Sequence, residues 1–336
     1  MIRIAIIGAG AWGLNHVRAA TTEAGCSLVA VADPDPAARA SALSIAPTVR
    51  VAADPDELFA DPSISAVVIA SPAPTHVPLA RAALEAGKHA LVEKPLALGL
   101  AEARSLQEVA LSTSRVAAVG HLMVHHPAVA RMREMIVSGA LGRLHYIHAT
   151  RVNLGRARRE ESTLWSLGPH DLSMLDFLLG RSPLTVSARG LCVVHPGVED
   201  VVFLAMRYPT GEMAHIHLSR VSPHKERRLT VVGEAKQVVL DDVANDKLKI
   251  YARGQDALPA FTEYAQYLAI RDGDVHIPEV AMQEPLRLQL RHFLTCIKER
   301  RRPLADLASG VRITAVLDAA QRSLALDGVP VEVAVN

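Results

Sequence analysis

Three glycines fall within six residues, Gly8-Ala9-Gly10-Ala11-Trp12-Gly13, directly after the apolar run Ile2 to Ile7 and at the start of a helical stretch. The pattern G-x-G-x-x-G arises often by chance, so its chemistry has to come from context. Here a strand precedes it and a helix follows. An acidic residue, Asp33, stands 20 positions beyond Gly13 at the end of the next apolar run, Leu28 to Ala32. In that setting Gly8 makes the tight turn, Gly10 admits a pyrophosphate close to the backbone of Ala11 and Trp12, and Gly13 lets helix and strand pack closely. The free N–H groups of the helix start then face the phosphates. Asp33 is placed to accept hydrogen bonds from an adenosine ribose, and its charge repels a 2′-phosphate. The expected ligand is therefore NAD rather than NADP, with Arg39 the nearest cation able to temper that preference.

Two further residues suit proton chemistry. Lys94, in Val92-Glu93-Lys94-Pro95, carries a charge that favours a developing alkoxide and depresses the pKa of a neighbouring group. His170, in Gly168-Pro169-His170-Asp171, carries an imidazole that exchanges a proton near neutral pH. Each has a plainer reading: a solvated loop lysine, and a helix-start pair in which Asp171 caps the helix. His121, His125 and His126 lack an acidic companion at a recognised spacing, so no metal is expected. Cys26, Cys192 and Cys296 are isolated and read as small core residues.

The elements that must position these groups follow from periodicity. Apolar runs at 66–70, 89–92 and 116–119 alternate with helical patterns near 36–44, 75–86 and 98–112. Continuous apolar strands separated by helices imply a parallel, doubly wound sheet covered on both faces. After a helix near 126–138 the pattern changes to alternating segments near 143–152, 184–194, 200–208, 213–219, 226–233 and 236–241, followed by helices near 284–300 and 307–327. The expectation is an α/β chain: a Rossmann domain over 1–120, then an α+β domain over 121–336 with a large open, mostly antiparallel sheet. The C-terminal helices are candidates to pack back on the first domain.

Composition narrows the function classes. A length of 336 residues is about twice an ordinary domain, half the residues are hydrophobic and 21% are charged, which is globular rather than disordered. The net charge of +1 creates no global field for nucleic acid or anionic membrane. No apolar run approaches the roughly 20 residues that span a bilayer, and Ile2 to Ile7 is too short for a signal-peptide core, so a cytoplasmic protein is expected.

The tetrapeptide Val92-Glu93-Lys94-Pro95 resembles the E-K-P motif of the glucose-fructose oxidoreductase/inositol dehydrogenase (Gfo/Idh/MocA) family. Ser71-Pro72 with Thr75-His76 resembles that family's nicotinamide-side loop, and Gly168-Pro169-His170-Asp171 its substrate-domain histidine motif. These features span the chain from residue 1 to about 330. A finer resemblance is to bacterial nucleotide-sugar 3-dehydrogenases, through Gly120-His121-Leu122, His126-Pro127-Ala128, Asn153-Leu154-Gly155 and the segment from Arg159 to Ser166. Departures are Ser162 where Asn is usual, His125 where an aromatic residue is common, and Ser166 where many relatives carry Asp.

The resemblance implies NAD-dependent oxidation of a ring secondary hydroxyl, at carbon 3 of a UDP-linked N-acetylated amino sugar. His170 would act as base and Lys94 would polarise the hydroxyl. Ser71, Pro72, Thr75, His76 and Glu93 would join the glycine turn in holding the cofactor. With Asp absent at Ser166, either that hydroxyl joins a water relay or Asp171 supports the imidazole. Candidate substrate contacts are His121, Asn153, Glu161, Trp165 and Ser166, with Arg156, Arg158 and Arg159 suited to a diphosphate. Lys225, Arg227 and Arg228 form a second basic cluster. The open sheet and the family together imply a homodimer or homotetramer, with an aminotransferase as a possible pathway partner. Two alternatives stand: a free-sugar, inositol or amino-sugar dehydrogenase, and a dinucleotide-sensing regulatory protein without catalysis, against which the retention of Lys94 and His170 speaks.

Overall fold

The computed structural model describes residues 1–155, 161–252 and 273–334, and in it the chain forms two compact units. The first comprises Met1–His126 with Gln283–Ala315, and the second Pro127–Met282 with Val316–Asn336.

In the first unit six parallel strands, β1 (Ile2–Ile7), β2 (Cys26–Ala32), β3 (Arg50–Ala52), β4 (Ala66–Ile69), β5 (His89–Val92) and β6 (Ala117–Val119), lie in the order β3-β2-β1-β4-β5-β6. Ile4, Ala5, Ile6 and Val67 to Ile69 are almost wholly buried, because helices cover both faces of a parallel sheet. The helices are α1 (Gly13–Thr22), α2 (Pro36–Ile45), the single turn α3 (Asp56–Phe59), α4 (His76–Glu85) and α5 (Leu100–Thr113). β3 and α3 escape a reading by periodicity, being only three and four residues long. This is the strand order of a Rossmann fold, in which ligands bind at the carboxyl ends of the strands beside the switch between β1 and β4.

The 283–315 segment belongs to this unit because of one amphipathic helix, Pro285–Glu299. Leu286, Leu290, Phe293 and Leu294 recur at helical spacing and join a core with Ile4, Ile6, Val17 and Leu91. At its edge Arg291 pairs with Glu23 at 3.1 Å, and Arg18 with Glu284.

In the second unit a nine-stranded sheet is antiparallel except for one neighbouring pair, Met213–Ser219 alongside Leu144–Leu154, which run parallel. The helix Thr163–Leu179 packs on one face of this sheet, over Ile147, Ala149, Leu204, Ile216 and Leu218. Sequence periodicity passes this helix over, since Gly168-Pro169 reads as a break. Pro169 nevertheless sits inside it, and Gly180 (φ 67°) ends it in the left-handed conformation that a glycine adopts freely. His170 and Asp171 are thus mid-helix residues rather than a helix start. Cys192 also departs from expectation: it is exposed just beyond the strand Thr185–Leu191, whereas Cys26 and Cys296 are buried.

Phe293 is 1% exposed and fills the helix-to-sheet core, so Phe293→Ala should cost about 3–5 kcal/mol by leaving a cavity. Leu111→Ala, at a site 74% exposed, should change stability by less than about 0.5 kcal/mol. Chemical denaturation of both variants checks the contrast, and equal losses would refute the placement of the helix.

Candidate active site

The glycine turn is built by close backbone approaches. Gly8 has φ 92°, and a Cβ there would lie 2.6 Å from the Ser71 amide nitrogen. A Cβ on Gly13 would stand 2.0 Å from the Gly8 carbonyl oxygen. Neither position tolerates a side chain. A Cβ on Gly10 meets nothing within 4 Å, so that glycine keeps clear a space the protein itself does not fill. The Asp33 carboxylate accepts the Ala9 N–H at 2.7 Å and the Asp35 N–H at 2.9 Å, fixing the turn to the end of β2. A carboxylate has about four acceptor sites, which leaves room for ribose hydroxyls. Arg39 is held beside it, donating to the carbonyls of Asp33 and Pro34 at 2.6 and 2.9 Å. This open, amide-lined turn with an acidic residue at its rim fits a dinucleotide.

Opposite, at the ends of β4 and β5, the Ser71 and Thr75 hydroxyls share a hydrogen bond of 2.6 Å. The buried His76 ring spans the Pro95 carbonyl at 2.7 Å and the Ser71 carbonyl at 2.9 Å. His76 thereby ties the Ser71-Pro72 loop to the E-K-P segment from behind. Glu93, 4% exposed, meets His16 Nε2 at 2.8 Å and accepts the Lys94 amide at 3.1 Å. Burial works against its charge, but hydrogen bonds from His16 and Trp12 and the nearby Lys94 outweigh it and hold the carboxyl below the usual carboxylate range. A Cβ on Gly120 would come within 2.8 Å of the same carboxylate, so that glycine makes room for it. His121 is buried next to this cluster, and burial pushes its pKa down to about 4, keeping the ring neutral at physiological pH. His125 packs against His292 with ring centroids 5.1 Å apart, and burial drives its pKa down to about 3.

A cavity of about 890 Å³ in the same unit lies at the other edge of the sheet, where β5 and β6 begin. Its Arg115 and Arg300 stand at the carbonyl ends of two helices, which favour positive charge for their own sake.

In the second unit His170 is half-buried on the Thr163–Leu179 helix. Asp171, one position on, faces the sheet, and both its oxygens are taken by Arg151, at 2.6 and 3.2 Å. The pair is buried and bidentate. The Ser166 hydroxyl donates to the Ser162 carbonyl at 2.9 Å and accepts from Arg220 at 3.0 Å. Arg220, 5% exposed, also reaches Thr163 Oγ1 at 2.9 Å and the Glu161 carbonyl at 2.8 Å, with Asp200 at 3.9 Å. Trp165 donates its indole N–H to Gln321 at 3.0 Å, and Asn153 is half-buried near the end of its strand. Arg156, Arg158 and Arg159 lie outside the described residues. In the second basic cluster Arg227 pairs with Asp242, and Arg228 with Asp241 and Glu226, as cross-strand and near-neighbour ion pairs.

Sequence reasoning missed His16, Arg151 and Arg220. A signal existed for Arg151, which continues the inward-facing series Ile147, Ala149 and is therefore a cation at a core position. Nothing local marks His16 or Arg220, whose side-chain hydrogen-bond partners are 77 and more than 50 residues away.

Residues 2–121 match the oxidoreductase family described by an NAD-binding Rossmann fold, and residues 129–239 match the Gfo/Idh/MocA C-terminal domain. The chain belongs to the Gfo/Idh/MocA family. It is 29% identical to the UDP-N-acetylglucosamine 3-dehydrogenase of Acidithiobacillus ferrooxidans over 315 residues, 94% of each chain. A solved structure of that enzyme superposes with a TM-score of 0.84 at 26% identity, covering 97% of this chain and 98% of the other. The scyllo-inositol 2-dehydrogenase (NAD(+)) of Bacillus subtilis is 26% identical over 321 residues, 90% of this chain and 88% of its own. This Gfo/Idh/MocA protein is thus an NAD-dependent dehydrogenase, and its glycine turn lies within the stretch that matches the NAD-binding Rossmann fold. Among its described residues no helix is long and apolar enough to cross a membrane.

Gly10→Ala gives a sharp test of the cradle. The added methyl meets no protein atom, so the melting temperature should stay within about 2 °C of wild type, while NADH affinity falls at least about tenfold because the pyrophosphate loses its approach. Fluorescence titration with NADH measures the affinity, and wild-type binding by the variant would exclude this turn as the site.

Proposed function

We propose that this dehydrogenase oxidises a secondary hydroxyl on a sugar ring to a ketone, at carbon 3 of a UDP-linked N-acetylated amino sugar. What carries the reading is the likeness to the UDP-N-acetylglucosamine 3-dehydrogenase along almost the full length of both chains. NAD, when bound, supplies the hydride acceptor. The chain's own residues handle the proton and the charge: His170 takes the hydroxyl proton, and the Lys94 ammonium stabilises the negative charge that develops on the oxygen. Glu93 fixes the backbone at Lys94, and the neutral His121 offers a ring nitrogen near that residue without adding a competing positive charge.

Asp171 has a different part in this reading from an imidazole support. Its two oxygens are committed to Arg151, so it anchors the His170 helix to the sheet. Ser166, bonded to Arg220, stands one turn before His170, where Arg220 and Thr163 organise the start of the same helix. The reading includes a homodimer or homotetramer formed through the open face of the second sheet, where Tyr146, Phe203 and Met213 stand exposed, and an aminotransferase that consumes the ketone.

A second reading, oxidation of an unphosphorylated cyclitol or sugar, draws on the likeness to the scyllo-inositol 2-dehydrogenase. The ion-paired state of Arg227 and Arg228 favours it over a diphosphate held at that cluster.

NADH formation at 340 nm with UDP-N-acetylglucosamine, its uronate, scyllo-inositol and free sugars separates the two. Turnover of the UDP-sugars, reduced by about 10²–10⁴-fold in His170→Ala and comparably in Lys94→Ala, is the expected result. Turnover of only unphosphorylated polyols would sink the nucleotide-sugar assignment. Full activity in His170→Ala would remove that residue as the base. For the anchor, Asp171→Ala should cost about 3–5 kcal/mol of stability by leaving Arg151 buried without its partner.

A further inference from the structure

Helix α1 carries a histidine that none of the cofactor chemistry above uses. His16 is 1% exposed, faces away from solvent, and sets its Nε2 against Glu93 Oε1 at 2.8 Å. Its Nδ1 has no hydrogen-bond partner among the described residues. That asymmetry selects a tautomer. With the proton on Nε2 the ring donates a charge-assisted bond to the carboxylate and leaves only a lone pair at Nδ1, whereas a proton on Nδ1 would be buried without an acceptor. Trp12, inside the glycine turn and 43% exposed, lies edge-on to the His16 ring with centroids 6.2 Å apart. The second carboxylate oxygen accepts the backbone N–H of Lys94 at 3.1 Å. Gly120 leaves the carboxylate its room on another side, where a Cβ would come within 2.8 Å of it.

We propose that His16 is a positioning residue for Lys94: it holds the Glu93 carboxylate, which in turn fixes the lysine backbone, so that the glycine turn and the lysine are held as one piece. The inference rests on the reading of Lys94 as the residue that stabilises the substrate oxygen. Its physical content is that a lysine has a long, flexible stem, and the direction in which that stem leaves the chain is set by the peptide at its root. His16 brings the first turn of α1 to the Glu93 carboxylate, and Trp12, at the cap of the same helix, packs edge-on against its ring.

The test uses the full chain with His16→Ala, His16→Gln, Glu93→Gln and Lys94→Ala, and reads amide hydrogen exchange across residues 91–96, NADH affinity by fluorescence, melting temperature, and turnover of whichever sugar the wild type oxidises. Gln keeps an N–H donor near the imidazole Nε2 position. In His16→Ala the Lys94 amide should exchange at least about tenfold faster and kcat should fall on the order of 10- to 100-fold, with the KM for NAD and the NADH affinity within about threefold of wild type. His16→Gln should restore most of both, and Glu93→Gln should give an intermediate loss. A residue that only fills space would lower stability and cofactor affinity together, and Gln would not rescue it. Unchanged exchange at Lys94, unchanged kcat, or no rescue by Gln each overturns the proposal. If Lys94→Ala stays fully active, the reading of Lys94 fails, and the amide exchange alone then decides whether His16 fixes this backbone.

Discussion

A carboxylate sealed from water must be surrounded by donors or lose its charge, and Glu93 is the place where this constraint organises the first unit. Left alone, burial would raise its pKa and protonate it. His16 from α1 and the amide of Lys94 supply the donors instead. The two donors come from α1 and from the end of β5, so satisfying one charge fixes the spacing between them. Gly8, Gly13 and Gly120 follow from the same crowding, because each marks a spot where backbone or carboxylate already occupies the room a side chain would need.

The second unit repeats this logic with cations. Arg151 and Arg220 are both buried guanidinium groups, and each hydrogen-bonds to acceptors on or at the start of the helix that carries His170. Arg151 binds the helix midway through Asp171, while Arg220 gathers the Thr163 and Ser166 hydroxyls and the Glu161 carbonyl at its start. Two rigid forks at different heights set both the tilt and the rotation of that helix, which apolar packing alone would leave adjustable. The rotation matters because His170 and Asp171 are neighbours that point about 100° apart: turning one toward the sheet turns the other away from it. His170 also follows a proline that cannot donate a helical hydrogen bond, so this stretch depends on tertiary anchors more than an ordinary helix does.

Much of the candidate site was legible in the linear chain. The glycine turn could be read because its requirements are local: a backbone conformation at Gly8, a close approach at Gly13 and an acidic residue one strand later all fall within about 30 residues. Strand and helix alternation up to residue 120 could be read for the same reason, since burial on both faces writes continuous apolar runs. Short pieces such as β3 and the Val275–His276 strand escaped, having too few residues to show a period. The Thr163–Leu179 helix escaped because Gly168-Pro169 is a breaker by local rules and is overruled by packing.

The sequence by itself therefore determined the glycine turn, the order of the parallel strands' hydrophobic runs, the family, and which residues have the chemistry to move a proton. Tertiary structure alone decided their partners. Asp171 could have served an imidazole and instead holds Arg151. His76 bridges two carbonyls behind the loop. His16 carried no local mark at all, yet meets Glu93 across 77 residues. Backbone conformation and periodicity are fixed by neighbours a few positions away, whereas the partner of a buried polar group depends on which distant segments the packed core brings within 3 Å of it.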